Sequence, residues 1–351
     1  MKLPSYICYP GMPEGDKPAS IAIHRIEARM YREKKIALVI PAYNEEKLIR
    51  PTLEGVPSLI DKVYVVDDAS PDGQNAVVSA CAEKDPRITL VEHEVNQGPG
   101  GAIITGYRRS SADGCDLTVV VGGDNQMPLS EVERFLDPII DGKADYAKGN
   151  RFILSQLDDT LQKMPKIRLL GNWMIAALTK IASGYYKLMD FVDGYTAISK
   201  QAIDLVDWDK AWKKYGYPMD FLIRMNAYSL RTVDIPRTAI YLPGEKQSQI
   251  KGFRYFLEVT PMLVRGFFWR LKFKYLYRDF HPLFLFYWLG IVLFPVGLLI
   301  GGYLACDKIF FTGRAVTGSR SIMAALLMLM GLQFLLFAMF FDMEEGTPDR
   351  R

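Results

Sequence analysis

Two long stretches near the C-terminus carry no charge, and they constrain this chain more than any other feature. The first, from His281 to Cys306, includes PLFLFYWLGIVLFPVGLLIGGYLAC, and the second, SIMAALLMLMGLQFLLFAMFF, fills the gap between Arg320 and Asp342. Each is long enough to cross roughly 30 Å of hydrocarbon. Buried core helices would meet the same length, but the absence of charge on any face of either segment speaks against that alternative. The pair reads as a transmembrane hairpin over residues 281–342, with a short tail at 343–351.

Just before the first span, RGFFWRLKFKYLYRDFHP crowds Arg265, Arg270, Lys272, Lys274 and Arg278 among aromatic residues. Basic residues beside a span favour the cytosolic side. The mixture also suits an amphipathic juxtamembrane segment, residues 251–280, lying in the headgroup region over anionic lipid. A nucleic-acid patch would have the same composition, but the position against a span disfavours it. So does the balance of 43 Lys+Arg against 40 Asp+Glu, a formal net charge of only +3. The loop between the spans carries Lys308, Arg314 and Arg320, so the charge contrast is not one-sided. The opening MKLPSYICYPGMPEGDKPAS has no apolar core of signal-peptide length, which places the soluble part on the cytoplasmic side. Residues 1–34 read as an N-terminal extension with one amphipathic stretch, IAIHRIEARMYREKK, and no assigned role.

Cys8, Cys81, Cys115 and Cys306 form no CxxC pair, and His24, His93 and His281 are scattered, so neither a disulfide framework nor a Cys- or His-ligated metal is expected. Any metal must sit on oxygen ligands. From Lys35 to about Tyr241, the runs IALVIPAYNEE, KVYVVDDASPDG, ITLVEH and LTVVVGGD are separated by helix-like stretches. Continuous β-branched runs alternating with helices predict an α/β fold with a parallel sheet and crossover helices. Ligands of such sheets lie at the carboxyl ends of the strands. A further helix-like stretch, Lys166 to Leu188, reads as a packed helix of this domain, with contact to the bilayer as the alternative.

Three strand ends are polar in succession: Pro41 to Glu46, Asp67 to Gly73, and Gly122 to Gln126. Tyr43 and Asp68 together suit a nucleotide base, one by its ring and the other by accepting a ring N–H. Gly98, Gly100 and Gly101 open a helix and would either bring backbone N–H groups to a phosphate or permit close packing on the sheet; the residues leave both open. Neither GxGxxG nor GxxxxGK[ST] occurs there. Asp124 and Gln126 alternate and so share a side, where two oxygen ligands plus phosphate oxygens would complete a Mg²⁺ or Mn²⁺ site.

In this order VIPAYNEE, VVDDASPDG, NQGPGGAIITGY, VVVGGDNQMP, YAKGNRF and VDGYTAIS resemble glycosyltransferase family 2, a GT-A fold, over about residues 35–260. Within that family the chain resembles the dolichyl-phosphate mannose and polyprenyl-phosphate glucose synthases. The resemblance implies a nucleotide-sugar donor, UDP- or GDP-linked, a divalent metal, and a polyprenyl phosphate acceptor met at the cytosolic leaflet, with the transferase domain at 35–250. It implies that Pro41, Ala42, Tyr43 and Glu45 line base and ribose, that Asp68 binds the base, and that Arg151 meets a donor or acceptor phosphate. The family's Asp-x-Asp-x-Gln stretch falls on Gly122, Asp124 and Gln126, so only Asp124 and Gln126 carry over as metal ligands. Asp190, Asp193 and Asp220 fall on the acceptor side, and GEKQSQIKG resembles a phosphate-binding loop through Lys246, Ser248 and Lys251, with a solvated basic loop as the alternative.

A phosphate acceptor is already anionic and needs no strong general base, and attack in line would invert the anomeric centre. A glycolipid or glycan hydroxyl would need a carboxylate such as Asp193 or Asp220 to take its proton. A polymer product is disfavoured by the lack of a Gln-x-x-Arg-Trp motif. A reading of another class is an inactive membrane adaptor on the same fold, for which Gly122 is the one argument. The sequence leaves the donor sugar and oligomerisation open.

Overall fold

The protein is described from a computed structural model that covers residues 31–152, 166–238, 240, 252–311 and 318–346. Lys246, Ser248, Lys251 and most of the N-terminal extension lie outside the described residues.

The four β-branched runs are strands: β1 Ile36–Ala42, β2 Lys62–Asp67, β3 Ile88–Glu92 and β4 Leu117–Val120. They pair in parallel, with Val39 opposite Tyr64 and Val119 opposite Leu38. Helices α1 Ile49–Glu54, α2 Gln74–Ala82 and α3 Pro99–Ala112 make the crossovers. Three further strands complete the sheet: β5 Tyr146–Asn150, β6 Thr196–Ser199 and β7 Thr232–Pro236. The order of the 7-stranded sheet is β3-β2-β1-β4-β6-β5-β7, with β6 antiparallel to both neighbours. The result is the mixed, mostly parallel α/β sheet that the GT-A resemblance implies.

Between these strands lie α4 Val132–Ile140, α5 Lys166–Ser183, α6 Lys200–Leu205 and α7 Tyr217–Ala227. Both sheet faces are covered, which is why β1 is apolar at every position and β2 is apolar between its ends. Ala37, Val39, Tyr64 and Val66 meet residues of α3, α5 and α7 on one face. Ile36, Leu38, Ile40, Val63 and Val65 meet residues of α1, α2 and α4 on the other. Helix α3 lies unusually close to β1, since a Cβ on Gly106 would overlap the Val39 side chain.

After the sheet come α8 Gly252–Lys272, a π-helical turn Phe273–Arg278, and two long helices, α9 Leu283–Cys306 and α10 Gly318–Glu345. In their most apolar windows only 22% and 17% of α9 and α10 are buried, which rules out a pair of core helices and leaves an outward-facing apolar hairpin of bilayer length. The helices run antiparallel with small residues between them: a Cβ on Gly297 would sit 2.6 Å from the Met328 nitrogen, and one on Gly290 3.0 Å from the Gly331 carbonyl.

Helix α8 departs from the sequence reading. It packs on α5 and α7, and of the basic residues on it and the π-helical turn, Arg270 and Lys274 turn inward and are buried, while Arg265, Lys272 and Arg278 stay exposed. Composition alone does not say which cations face lipid. The expected packing of the Lys166 helix holds for its C-terminal half, where Ala182 is buried, although Trp173 is 67% exposed.

Replacing Gly106 by leucine should overpack the α3–β1 contact and destabilise the domain by about 1–3 kcal/mol, read by chemical denaturation of the purified protein. An unchanged midpoint would contradict the close approach.

Candidate active site

Because β1 and β2 are apolar between their ends, polar side chains gather where these strands stop. Three non-glycine residues on this edge have positive φ: Asn44 (61°), Ala69 (59°) and Asn125 (54°). Ala69 has no polar side chain to favour that conformation, so the loop around it is held by others. Asp67 does this, accepting from Gln74 Nε2 at 2.8 Å, Asn75 Nδ2 at 3.2 Å and the Ser70 nitrogen at 3.2 Å. Ser70 Oγ in turn accepts from the Asn44 nitrogen at 3.0 Å, tying the β1 and β2 loops together.

Asp68, expected against a base, has a prior engagement. Its Oδ1 meets His93 Nδ1 at 2.8 Å and accepts from the Gln97 nitrogen at 2.8 Å, and Oδ2 accepts from the Gly98 nitrogen at 2.7 Å. The carboxylate is buried and braces the loop that opens α3. The same loop settles the glycine question in favour of packing. The Gly100 and Gly101 nitrogens donate to the Lys213 carbonyl at 2.8 and 3.3 Å, and a Cβ on Gly100 would lie 2.7 Å from the Trp212 carbonyl. Those N–H groups are turned to protein, not to a phosphate.

Beside this frame, the end of β1 abuts the end of β4: a Cβ on Gly123 would sit 3.4 Å from Ala42 Cβ and 3.6 Å from Glu45 Cγ. Tyr43 is half exposed at the mouth. Asp124 follows, and its Oδ1 accepts from the Gln126 nitrogen at 3.2 Å. Gly122 has a consequence here, because a Cβ on it would stand 3.0 Å from Asp124 Oδ1. The carboxylate leans into the space that the family's first aspartate would fill.

Burial pushes the Asp124 carboxyl above its ordinary range, against the opposing effects of the Gln126 backbone bond and the Arg237 charge. Among the described residues it makes no ion pair, and no group of three His, Cys, Asp or Glu side chains would hold a metal unaided. The pair Asp124 and Gln126 does fit a hard cation that takes its remaining oxygens from phosphates and water.

Next to this pair stands a neutral quartet. Arg151 Nε and Nη2 donate to Asp190 at 2.7 and 3.0 Å, and Arg151 Nε lies 3.4 Å from Asp193 Oδ2. Arg237 Nε donates to the same Asp193 oxygen at 2.7 Å, while its Nη1 reaches the Gln126 carbonyl at 3.4 Å. Asp190 is buried, which raises its pKa, but the Arg151 hydrogen bond and charge outweigh this and hold it below the usual carboxylate range. Gly149 makes room for the quartet, since a Cβ there would be 3.0 Å from Asp193 Cγ.

The structure thus brings Asp124, Gln126, Arg151, Asp190 and Asp193 to one sheet edge, beside Pro41, Ala42, Tyr43 and Glu45. Asp220 is engaged elsewhere, accepting from Arg224 Nε at 2.8 Å and from the Trp212 nitrogen at 2.9 Å. Arg237 is the functional neighbour that sequence reasoning misses. Its signal is the position directly after TVDIP, a strand too short and too polar to stand out.

With this geometry the chain can be compared with known proteins. Residues 37–206 match Glycosyl transferase family 2, and the chain carries a domain of that family. Among curated relatives, it is 28% identical over 222 residues, 60% of this chain and 87% of the other, to the UDP-N-acetylglucosamine–dolichyl-phosphate N-acetylglucosaminyltransferase of Methanococcus voltae. It is 28% identical to the undecaprenyl-phosphate mannosyltransferase of Micrococcus luteus, over 59% of this chain and 84% of the other. It is 26% identical to the polyprenol monophosphomannose synthase of Mycolicibacterium smegmatis, over 58% and 77%.

The raised Asp124 carboxyl yields a stability prediction. The native state holds that proton more tightly than the unfolded chain, so ionisation costs stability as pH rises from the unfolded value towards the native one, and at neutral pH the cost is complete. Asp124→Asn should therefore stabilise the ligand-free protein by about 1 kcal/mol at pH 7, and the gain should vanish below about pH 4. Thermal unfolding of both proteins across pH checks this; a less stable variant at pH 7 would refute it.

Proposed function

We propose that this protein is an inverting glycosyltransferase that moves a sugar from a UDP- or GDP-linked donor to a polyprenyl phosphate in the cytosolic leaflet. The observation that carries the reading is the match, over 77% or more of their lengths, to three relatives named for joining a sugar to a prenyl phosphate. The hairpin supports it by setting the domain against the bilayer where such an acceptor resides.

In this reading Pro41, Ala42, Tyr43 and Glu45 receive base and ribose, with Asp68 holding the neighbouring loop in shape. Asp124 and Gln126 would hold Mg²⁺ or Mn²⁺ against the donor diphosphate. A bound cation would supply charge stabilisation to the departing nucleoside diphosphate. Arg151 presents a guanidinium to a phosphate, at the expense of its bond to Asp190. The acceptor oxygen forms a bond to the anomeric carbon as the carbon–oxygen bond to the diphosphate breaks, and no proton need be removed from a mostly dianionic phosphate.

A hydroxyl acceptor fits less well. Asp193 already accepts from Arg237 and from the Tyr195 nitrogen at 2.8 Å, and Asp220 from Arg224 and Trp212, so neither carboxylate stands ready to take a proton. The adaptor reading leaves without a purpose a partly buried Asp124 that makes no ion pair among the described residues.

The test offers purified protein a panel of radiolabelled nucleotide sugars with polyprenyl phosphate, with Mn²⁺ or chelator. One donor should label the lipid, chelator should abolish transfer, and Asp124→Asn should reduce it at least about 100-fold. Label appearing only on a hydroxyl acceptor would move the assignment to the glycolipid class, and no transfer from any donor would favour the adaptor.

A further inference from the structure

A second polar cluster lies away from the sheet edge, where the hairpin meets the domain. Arg270 on α8 and Asp342 near the end of α10 are both fully buried. Arg270 Nη1 donates to Asp342 Oδ1 at 2.7 Å and Nη2 to Oδ2 at 2.6 Å. Its other bonds run to the transferase domain: Nε to the Ala182 carbonyl at 2.8 Å, Nη2 to the Ile181 carbonyl at 3.2 Å, and Nη1 to Asn226 Oδ1 at 3.1 Å. These bonds use every N–H that a guanidinium has. Asp342 is saturated as well, accepting from the Tyr275 hydroxyl at 2.7 Å and from the Tyr287 hydroxyl at 3.3 Å.

One guanidinium therefore joins the last turn of α5, the last turn of α7 and the end of the membrane hairpin. The backbone fits the same contact. Gly184, just past α5, has φ +73°, and a Cβ on Gly346 would overlap the Gly184 carbonyl. Both gripped elements lead to the candidate site. The segment after α5 carries Asp190 and Asp193, and α7 begins at Tyr217, whose hydroxyl is 2.8 Å from where a Gly194 Cβ would sit.

A buried ion pair adds little net stability but enforces one arrangement, because each partner is costly to leave alone. We propose that Arg270 and Asp342 are positioning residues: they lock the 184–193 segment and α7 to the hairpin, and so hold the acceptor side of the site at a fixed height over the bilayer. This rests on the prenyl-phosphate reading for its catalytic consequence, though not for its structural one.

The test uses the full chain in lipid nanodiscs, as wild type, Asp342→Asn and Gly346→Val; the last wedges the contact while leaving both charges in place. Amide hydrogen exchange over residues 181–193 should quicken about tenfold in either variant, with residues 117–121 unchanged. KM for a bilayer-embedded undecaprenyl phosphate should rise about tenfold, while turnover of a short, water-soluble prenyl phosphate stays within about twofold. Unchanged exchange over 181–193, or an equal loss with both acceptors, would overturn the proposal. If Asp342→Asn does not fold, the same comparison on Gly346→Val decides. Wild-type protein that uses neither acceptor would defeat the prenyl-phosphate reading, and the exchange comparison would still decide the interlock.

Discussion

Covering a parallel sheet on both faces leaves little room for a polar group on a strand, apart from those such as Thr118 and Lys148 that meet a buried partner, and this constraint shapes the rest of the molecule. Ile36 to Ile40 and Val63 to Val66 are all but fully buried, so side chains that meet a ligand are confined to the strand ends. The loops there must be rigid without a ladder to hold them. Carboxylates hold them instead, with Asp67 shaping its own loop and Asp68 tying the next one through two backbone nitrogens and His93. Several acids of the edge thus serve as framework, and a ligand meets a surface already fixed by hydrogen bonds.

Charge compensation sets one acid of the site apart. Arg151, Asp190, Asp193 and Arg237 neutralise one another beside the site, and Arg270 with Asp342 does so beneath it. Asp124 is different, being partly buried with a backbone N–H for company and with its carboxyl raised by burial. An acid in that condition costs stability, which is the expected signature of a residue whose counter-charge arrives with a ligand.

Much of this is legible in the sequence, for physical reasons that also explain the gaps. The strands β1, β2 and β4 announce themselves because both of their faces are buried, and the hairpin does so because the apolar runs 282–306 and 321–341 carry no charge. Strand β5 does not read as one, since YAKGN carries a lysine and an asparagine. Lys148 is accommodated there by Asp234 of β7, 3.0 Å away, and such a pairing across 86 residues leaves no local trace. Missing β7 means missing Arg237. The inward turn of Arg270 and Lys274 is hidden in the same way, because a basic, aromatic helix reads alike whether its cations face phosphate headgroups or a buried aspartate.

The lone acid after β4 is explained by the same steric and electrostatic terms. With glycine at 122, Asp124 curls back to within 3.0 Å of where a side chain there would begin. Two carboxylates that close would repel and raise each other's pKa unless a cation stood between them. A single acid with an amide neighbour avoids that conflict, and in the proposed reaction would rely on the donor's own phosphates to complete a coordination shell. An anionic acceptor suits this arrangement, because a nucleophile that arrives deprotonated removes the need for a second free carboxylate. For the proposed prenyl phosphate acceptor, the remaining requirement is that its phosphate, fixed in depth by the prenyl chain, and the sheet edge, tied to the hairpin, meet at one level. Anchoring the site-bearing segments to the hairpin through buried, fully hydrogen-bonded charges is a way to meet that requirement without adding a group to the site itself.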